Sequence, residues 1–349
     1  MQEVSVGGWY SLTHLTIKDI AKYSGTSVST VSRVLNNHPD VSEKARVQVM
    51  KVVEQYRYVP NNSARNLVIR ESDTVAVVVR GIANPFFTRI IKTIERAIYA
   101  EGYSMSLHQI GSRDDELMTA AMLEREKRLR GIIFLGGRFN YSPADVAMLR
   151  VPFVCCTYAN TFGSLEPERF SSVAIDDKRE AYRAVRLLIE RGHRRIAALI
   201  EAEDGDSISQ LRYEGYCEAL ADAGIPFDPA LVECAGSFEM KDAYRAAARL
   251  AERAQFTALF AISDAMAMAA MKQLSERRLR IPEDCSVIAI DGLELTNYCV
   301  PTLTTLEQPA DEMALESVKI LAGLLRGEGK NRHVFMETRL REGTSVRSV

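Results

Sequence analysis

Between residues 74 and 290, seven short apolar runs alternate with stretches of helical spacing. They cover 74–79, 131–135, 153–157, 173–175, 196–200, 258–262 and 286–290. A strand that is apolar on both faces must be covered on both faces, and interleaved helices supply that cover. The pattern predicts doubly wound parallel sheets, and 349 residues leave room for two of them beside a smaller domain. No apolar run approaches the ~20 residues that span a bilayer, which excludes an integral membrane protein.

A hydrophobic content of 47% excludes disorder as the main state. The six cysteines (155, 156, 217, 234, 285, 299) are scattered without a CxxC. That distribution suits reduced thiols better than a disulfide frame or a zinc site. Cys155 and Cys156, adjacent in a strand, point to opposite faces and cannot bridge usefully. The first fifteen residues lack a basic start and an apolar core, so no export signal is read and a cytoplasmic protein is expected. The net charge of −2 hides an asymmetry. From Thr16 to Arg70 nine Lys/Arg face four Asp/Glu, while the remainder holds 35 basic and 42 acidic residues. A small basic head on a larger acidic body suits a polyanion-binding module joined to something else.

The head reads as three short helices. Thr16-Ile-Lys-Asp19 is a capping box, and Ile17, Ile20 and Ala21 form one apolar stripe. Gly25 stands where a positive φ is cheap. Ser27 caps a second helix, 28–35, with Val31, Val34 and Leu35 inward and Ser29, Ser32, Arg33 and Asn36 outward. A third helix starts at Ser42 and buries Ala45, Val49, Val52 and Val53. Two short helices joined by a tight glycine turn make a helix-turn-helix.

Thr16-Ile-Lys-Asp-Ile-Ala-Lys, Gly25, Ser27-Val-Ser-Thr-Val-Ser-Arg-Val-Leu-Asn36, Val41-Ser and Tyr58-Val-Pro-Asn61 together resemble the lactose repressor/purine repressor family of bacterial regulators. The resemblance runs through about fifty residues without a gap and continues to the end of the chain. It departs at Thr26, where the family has a small apolar residue and a slightly weaker turn is expected. It also implies that residues 1–15 are a leader that is not translated, Leu15 being a leucine-type start. The implied domains are a helix-turn-helix at 16–59, a hinge at 60–72 and a two-lobed body at 73–349.

By that resemblance the second helix enters the major groove, with Val28, Ser29 and Arg33 at base edges. Arg33 can bond a guanine bidentately, whereas Val28 offers only apolar contact and Ser29 reads either way. Thr16, Ser27, Ser32, Asn36, Ser42, Tyr58 and Asn61 look like phosphate contacts that set register. Ser27 and Ser42 serve equally well as simple helix caps. The hinge is too short to be a stable helix in water. In the family it folds on the operator and a leucine wedges into the minor groove, positions that Ala64 and Leu67 match.

For the body the resemblance implies two lobes of the periplasmic sugar-binding type around a hinge cleft, roughly 73–175 with 307–335 and 176–306 with 336–349. Crossings are expected near Ile175, Leu306 and Met336. Asn84-Pro-Phe-Phe87 should put one of Phe86 and Phe87 on the cleft. Tyr158, Phe238, Arg212, Asp264 and Asp291 match other binding positions. Aromatic faces pack on a sugar's C–H face, and ionised carboxylates want hydroxyl donors. A purine would use the rings equally well. The acidic run Glu201, Glu203, Asp204 and Asp206 lacks EF-hand spacing and reads as a cleft rim that argues against a phosphorylated ligand.

The chain carries no GxGxxG after a strand, no GxSxG, no P-loop and no HExxH, so no enzyme, cofactor or metal is expected. Asp176-Asp177 reads as a helix cap at a strand end in preference to a metal pair. His193, in Arg-Gly-His-Arg-Arg, reads as a capping histidine. The expected mechanism is a homodimer on a near-palindromic operator whose lobe angle responds to a cleft ligand, a neutral sugar or else a nucleobase. Helix 86–101 is broad enough to feed both core and dimer seam, and no terminal heptads follow the last strand, 334–340, to build a coiled-coil tetramer. A plain solute-binding protein would share the lobes but would need an export signal and would lack the basic head.

Overall fold

The computed structural model describes residues 15–35, 38–56, 58, 73–82, 84–111, 114–202 and 205–349. The chain divides into two compact units. One holds the described residues up to 72 with Met118–Leu129; the other holds Asp73–Leu117 with Arg130–Val349.

The head is three helices, α1 (Ile17–Ser24), α2 (Val28–Leu35) and α3 (Glu43–Gln55). Asp19 accepts from both the backbone N–H and the hydroxyl of Thr16, at 2.8 and 2.7 Å, which closes the start of α1. Gly25 ends α1 at φ 63°, a conformation that costs other residues strain. Beside it Thr26 spends its hydroxyl on Ser24, 2.9 Å away. Ile20, Ala21, Val31, Val34, Val49, Val52, Val53 and Tyr58 form a small core of their own.

From residue 73 onward, β1 (Thr74–Arg80), α4 (Pro85–Ala100), β2 (Ser104–Ile110), α5 (Glu116–Lys127), β3 (Gly131–Leu135), α6 (Pro143–Val146), β4 (Phe153–Cys156) and β5 (Ser171–Ile175) come first. Then follow α7 (Asp177–Glu190), β6 (Ile196–Ile200), α8 (Ile208–Asp222), β7 (Val232–Cys234), α9 (Met240–Arg253), β8 (Ala258–Ala261), α10 (Asp264–Glu276) and β9 (Ser286–Asp291). β10 (Thr304–Glu307), α11 (Ala310–Leu325), β11 (His333–Met336) and β12 (Arg339–Arg341) complete the order. None of the helices described is long and apolar enough to cross a membrane.

Two six-stranded sheets result, ordered β11-β5-β4-β3-β1-β2 and β12-β10-β9-β8-β6-β7. Every pairing in the first is parallel; in the second only β12, paired with β10, runs antiparallel. The chain leaves the first sheet after Ile175, returns after Glu307 through α11, and leaves again between Met336 and Arg339. The single strand expected over 334–340 is therefore two strands in different sheets, because the chain changes lobe at Glu337 and Thr338.

In each sheet the early strand is flanked on both sides by its successors: β1 by β2 and β3, β6 by β7 and β8. Connections leave such a pair in opposite directions and open a crevice at the carboxyl ends, where ligands of this fold type bind. The candidate site lies at those two points. α4 feeds the core through Ile90, Ile94 and Ile98, while Ile91 and Ala97 are only half-buried.

Candidate functional site

On the head, Val28, Ser29 and Arg33 share the exposed face of α2, opposite the buried Val31 and Val34. Ser27 accepts the backbone N–H of Thr30 at 3.1 Å and also bonds the hydroxyls of Ser29 and Thr30. Ser42 accepts from the Ala45 N–H and caps α3. Thr16, Ser27 and Ser42 are exposed and Ser32 half-buried, so a capping serine keeps a surface position. Tyr58 packs its ring into the head core and is only 5% exposed. Sequence reading passed over the stacked pair Tyr23 and Tyr56, ring centroids 5.0 Å apart. Asn36, Asn61, Ala64 and Leu67, with the rest of the hinge, lie outside the described residues.

In the first lobe the strand ends gather around a buried carboxylate that sequence reading missed. Glu116, at the start of α5, ion-pairs with Arg80 at the end of β1. It accepts the Arg138 backbone N–H and the Tyr141 hydroxyl, both at 2.8 Å. Since the Tyr141 proton goes to Glu116, the Tyr158 hydroxyl 2.8 Å away is the donor to Tyr141. Burial pushes both tyrosines well above their ordinary range, so they remain neutral. Burial likewise pushes the Cys155 thiol up to about 12. A Cβ on Gly137 would stand 2.1 Å from the Tyr158 hydroxyl, so only glycine fits there.

Tyr158 is thus a buried wall with a committed hydroxyl. Phe86 and Phe87 are both buried in the lobe core. Phe87 is the nearer to the crevice, its ring lying under Gly81 and Gly136 at the ends of β1 and β3.

The second lobe holds the charged centre. Arg212, near the start of α8, is 1% exposed. Its Nε donates to Asp177 Oδ1 at 3.0 Å, and Nη1 donates to the Ile262 carbonyl. Nη1 also lies 3.5 Å from Asp291 Oδ1. Nη2 stands 2.9 Å from Asp177 Oδ1 in ion-pair contact, yet no acceptor among the described residues is aligned to receive its hydrogens.

Asp291 ends β9 at φ 142°, a backbone region that side-chain-bearing residues rarely adopt and that concentrates at functional sites. Its Oδ1 accepts from Gln308, which immediately follows the second crossing, and its Oδ2 is buried without a partner. Burial is the main cause raising Asp177 to about 6 and Asp291 to about 7, with Arg212 holding both lower than burial alone would.

Asp264 departs from its expected role. One oxygen accepts the Leu293 N–H at 2.7 Å and the other the Thr305 hydroxyl at 2.6 Å, so both are spent inside the lobe. Phe238, in the loop after β7, is half-buried against the core. His193 is structural: it bonds Thr257, Ser286 and the Arg347 carbonyl, and burial lowers its pKa. Asp176 caps α7 by accepting from Arg179, while its neighbour Asp177 turns to Arg212.

The two crevices are joined by a direct bond. Asn140, in the loop after β3, donates through Nδ2 to Asp206 Oδ2 at 2.8 Å, in the loop after β6. In the buried centre one donor, Arg212 Nη2, and one acceptor, Asp291 Oδ2, remain unspent. A hydroxyl, which both donates and accepts, complements that combination. No nucleophile with an adjacent base accompanies it among the described residues.

Residues 16–61 match the family described as bacterial regulatory proteins, lacI family, and residues 185–346 match a periplasmic binding protein-like domain. The HTH-type transcriptional regulator MalR of Clostridium butyricum is 39% identical over 334 residues, covering 95% of this chain and 99% of its own. The HTH-type transcriptional repressor CytR of Escherichia coli K12 is 33% identical, covering 94% of each. Among solved structures, the transcriptional regulator CelR–cellobiose complex is 30% identical with a TM-score of 0.72, covering 95% of this chain and all of that one. The lac repressor dimer bound to operator and the anti-inducer ONPF is 25% identical with a TM-score of 0.67, covering 96% and 100%. With a basic helix-turn-helix head, two switch-point lobes and relatives matched along nearly their whole length, this chain belongs to the LacI family of transcriptional regulators, which are not enzymes.

Proposed function

We propose that the protein is a homodimeric cytoplasmic repressor whose hold on a near-palindromic operator is set by a neutral sugar bound between its lobes. The observation that carries this reading is the buried pair of unspent groups, Arg212 Nη2 and Asp291 Oδ2, at the carboxyl ends of the second sheet. One donor and one acceptor suit a polyol, and the rings of Phe87, Tyr158 and Phe238 at the strand ends would supply apolar cover. The likeness to the CelR–cellobiose complex supports the same ligand class.

Val28, Ser29 and Arg33 supply the base-reading face, with Thr16, Ser27, Ser32, Asn36, Ser42, Tyr58 and Asn61 on phosphates. Ala64 and Leu67 form the minor-groove wedge. Phe87, Tyr158, Phe238, Arg212 and Asp291 line the effector site, with Phe86 behind them. Dimerisation draws support from the lac repressor dimer and from the exposed Leu295, Tyr298 and Val300 in the second lobe.

The test is to select duplexes from a random pool with the purified protein, then titrate cellobiose, other neutral sugars, nucleobases and nucleosides against the selected complex. A neutral sugar that shifts operator affinity supports the reading. Response to nucleobases alone replaces the ligand class, and no preference for any duplex over a scrambled competitor removes the whole proposal.

A further inference from the structure

Two features of the second lobe would by themselves make an anion site. Arg212 presents a buried guanidinium, and α7, fourteen residues long, points its positive end at the same place. Helix amino termini and guanidinium groups are the two standard partners of phosphate. Here neighbouring carboxylates answer both: Asp176 caps α7, and Asp177 faces the guanidinium. Asp177 is the first residue of α7 and is only 3% exposed. Its Oδ1 takes the Arg212 Nε–H at 3.0 Å and lies 2.9 Å from Nη2. Asp291 lies 3.5 Å from Nη1 on the other side. The cation is thereby enclosed by two carboxylates, and an arriving anion would meet them before it met a free positive charge.

We infer that Asp177 is the specificity-determining residue of the effector site: by neutralising Arg212 beside the capped start of α7, it makes the site reject phosphorylated and carboxylated ligands and accept neutral hydroxyl-bearing ones. This rests on the placement of the effector site proposed above and adds the group that sets its charge preference. Asp177 acts here through Arg212, which keeps its orientation and one unspent N–H direction for a hydroxyl.

The experiment uses the full chain at pH 7.5 and constant ionic strength, with inorganic phosphate and a hexose phosphate as probes against chloride. Thermal shift and equilibrium dialysis are the readouts. Wild-type protein is expected to show no phosphate-specific stabilisation. Asp177→Asn keeps the size and a hydrogen-bonding group but frees the charge, and it is expected to bind phosphate about tenfold tighter or more.

Arg212→Met in the Asp177→Asn background is expected to erase that gain, which ties it to this guanidinium. A folded Asp177→Asn protein with no gain, or a gain that survives Arg212→Met, overturns the inference. Should Asp177→Asn not fold, Asp177→Ser retains a hydroxyl at the helix start. The wild-type protein also decides by itself: a hexose phosphate that binds it as tightly as the matching neutral hexose overturns the assignment. If the phosphate results hold while no neutral sugar binds, the sugar reading fails and the anion-rejecting role of Asp177 stands.

Discussion

Asn140 and Asp206 meet across the lobes, the amide of one donating to the carboxylate of the other at 2.8 Å, at the strand ends facing the cleft. Both are polar and solvent-accessible, so the bond is worth about 0.5–1.5 kcal/mol net. That suffices to move a two-state lobe equilibrium several-fold without affecting folding. Asn140→Asp sets two carboxylates face to face and is expected to favour the open form, raising the radius of gyration measured by small-angle scattering. Adding Asp206→Asn restores a donor and an acceptor and is expected to restore the wild-type value. An unchanged Asn140→Asp profile would show that this bond does not govern lobe angle.

The buried aspartates predict the sign of a pH effect. Asp177 and Asp291 are raised from an ordinary 3.8 to about 6 and about 7, chiefly by burial. Groups that hold protons more tightly when folded contribute stability that is complete below 3.8 and lost as pH rises through the folded values. The ligand-free protein is therefore expected to lose stability from these groups as pH rises from about 4 to 7, with on the order of 4 kcal/mol of that loss above pH 5. His193, lowered by burial, works in the opposite direction over part of that window. The readout is thus the difference between wild type and Asp291→Asn in denaturant titrations, where the variant is expected to show a flatter slope.

Which parts of this molecule could be read from the sequence follows from what periodicity records. Strands buried on both faces announce themselves as apolar runs, and β3 and β6 have the bounds the runs predict. β2 escaped because it is an edge strand with a polar alternation, Ser104, Ser106, His108, and so carries no run. β7 and β12, at three residues each, are too short for any period. The exposed face of α2 was legible because its inward valines fix the phase of the helix. At the effector site, Arg212 and Asp291 came from resemblance, whereas Glu116, Tyr141 and Gln308 carried no local signal. Their role depends on partners between 17 and 36 positions away in sequence. Asp177 was visible in an Asp-Asp pair, but nothing local distinguishes the cap from the ion-pair partner.

Glu116 anchors the first lobe more firmly than a surface carboxylate would. Its removal takes the carboxylate partner from the Arg80 guanidinium, which keeps the Gly111 and Asp114 carbonyls, and takes the acceptor of the Tyr141 hydroxyl, which keeps only Tyr158. Glu116→Ala is expected to cost about 3–5 kcal/mol, the range for breaking a buried ion pair from one side. Tyr141→Phe removes one hydroxyl and leaves Glu116 its Arg80 partner, so a smaller loss of about 1–3 kcal/mol is expected. Urea denaturation of both variants checks the order. Equal losses would mean that the arginine contributes little.

On DNA, the α2 side chains Arg33 and Val28 and the hinge residue Leu67 should behave differently because their chemistry differs. Arg33 alone can make two hydrogen bonds to a guanine edge, worth about 1–3 kcal/mol of discrimination. Arg33→Ala is expected to lower affinity for the selected operator and relax the preference at one base position in each half-site. Val28→Ala is expected to alter only a thymine preference, through lost methyl contact. Leu67→Ala is expected to weaken binding without changing half-site preference, since a wedge reads deformability and not base edges. Measured across salt concentrations, all three variants should keep a steep negative slope, because counterion release depends on the phosphate contacts that they leave intact. A repeated selection in which Arg33→Ala recovers the wild-type motif would take the guanine contact away from this residue.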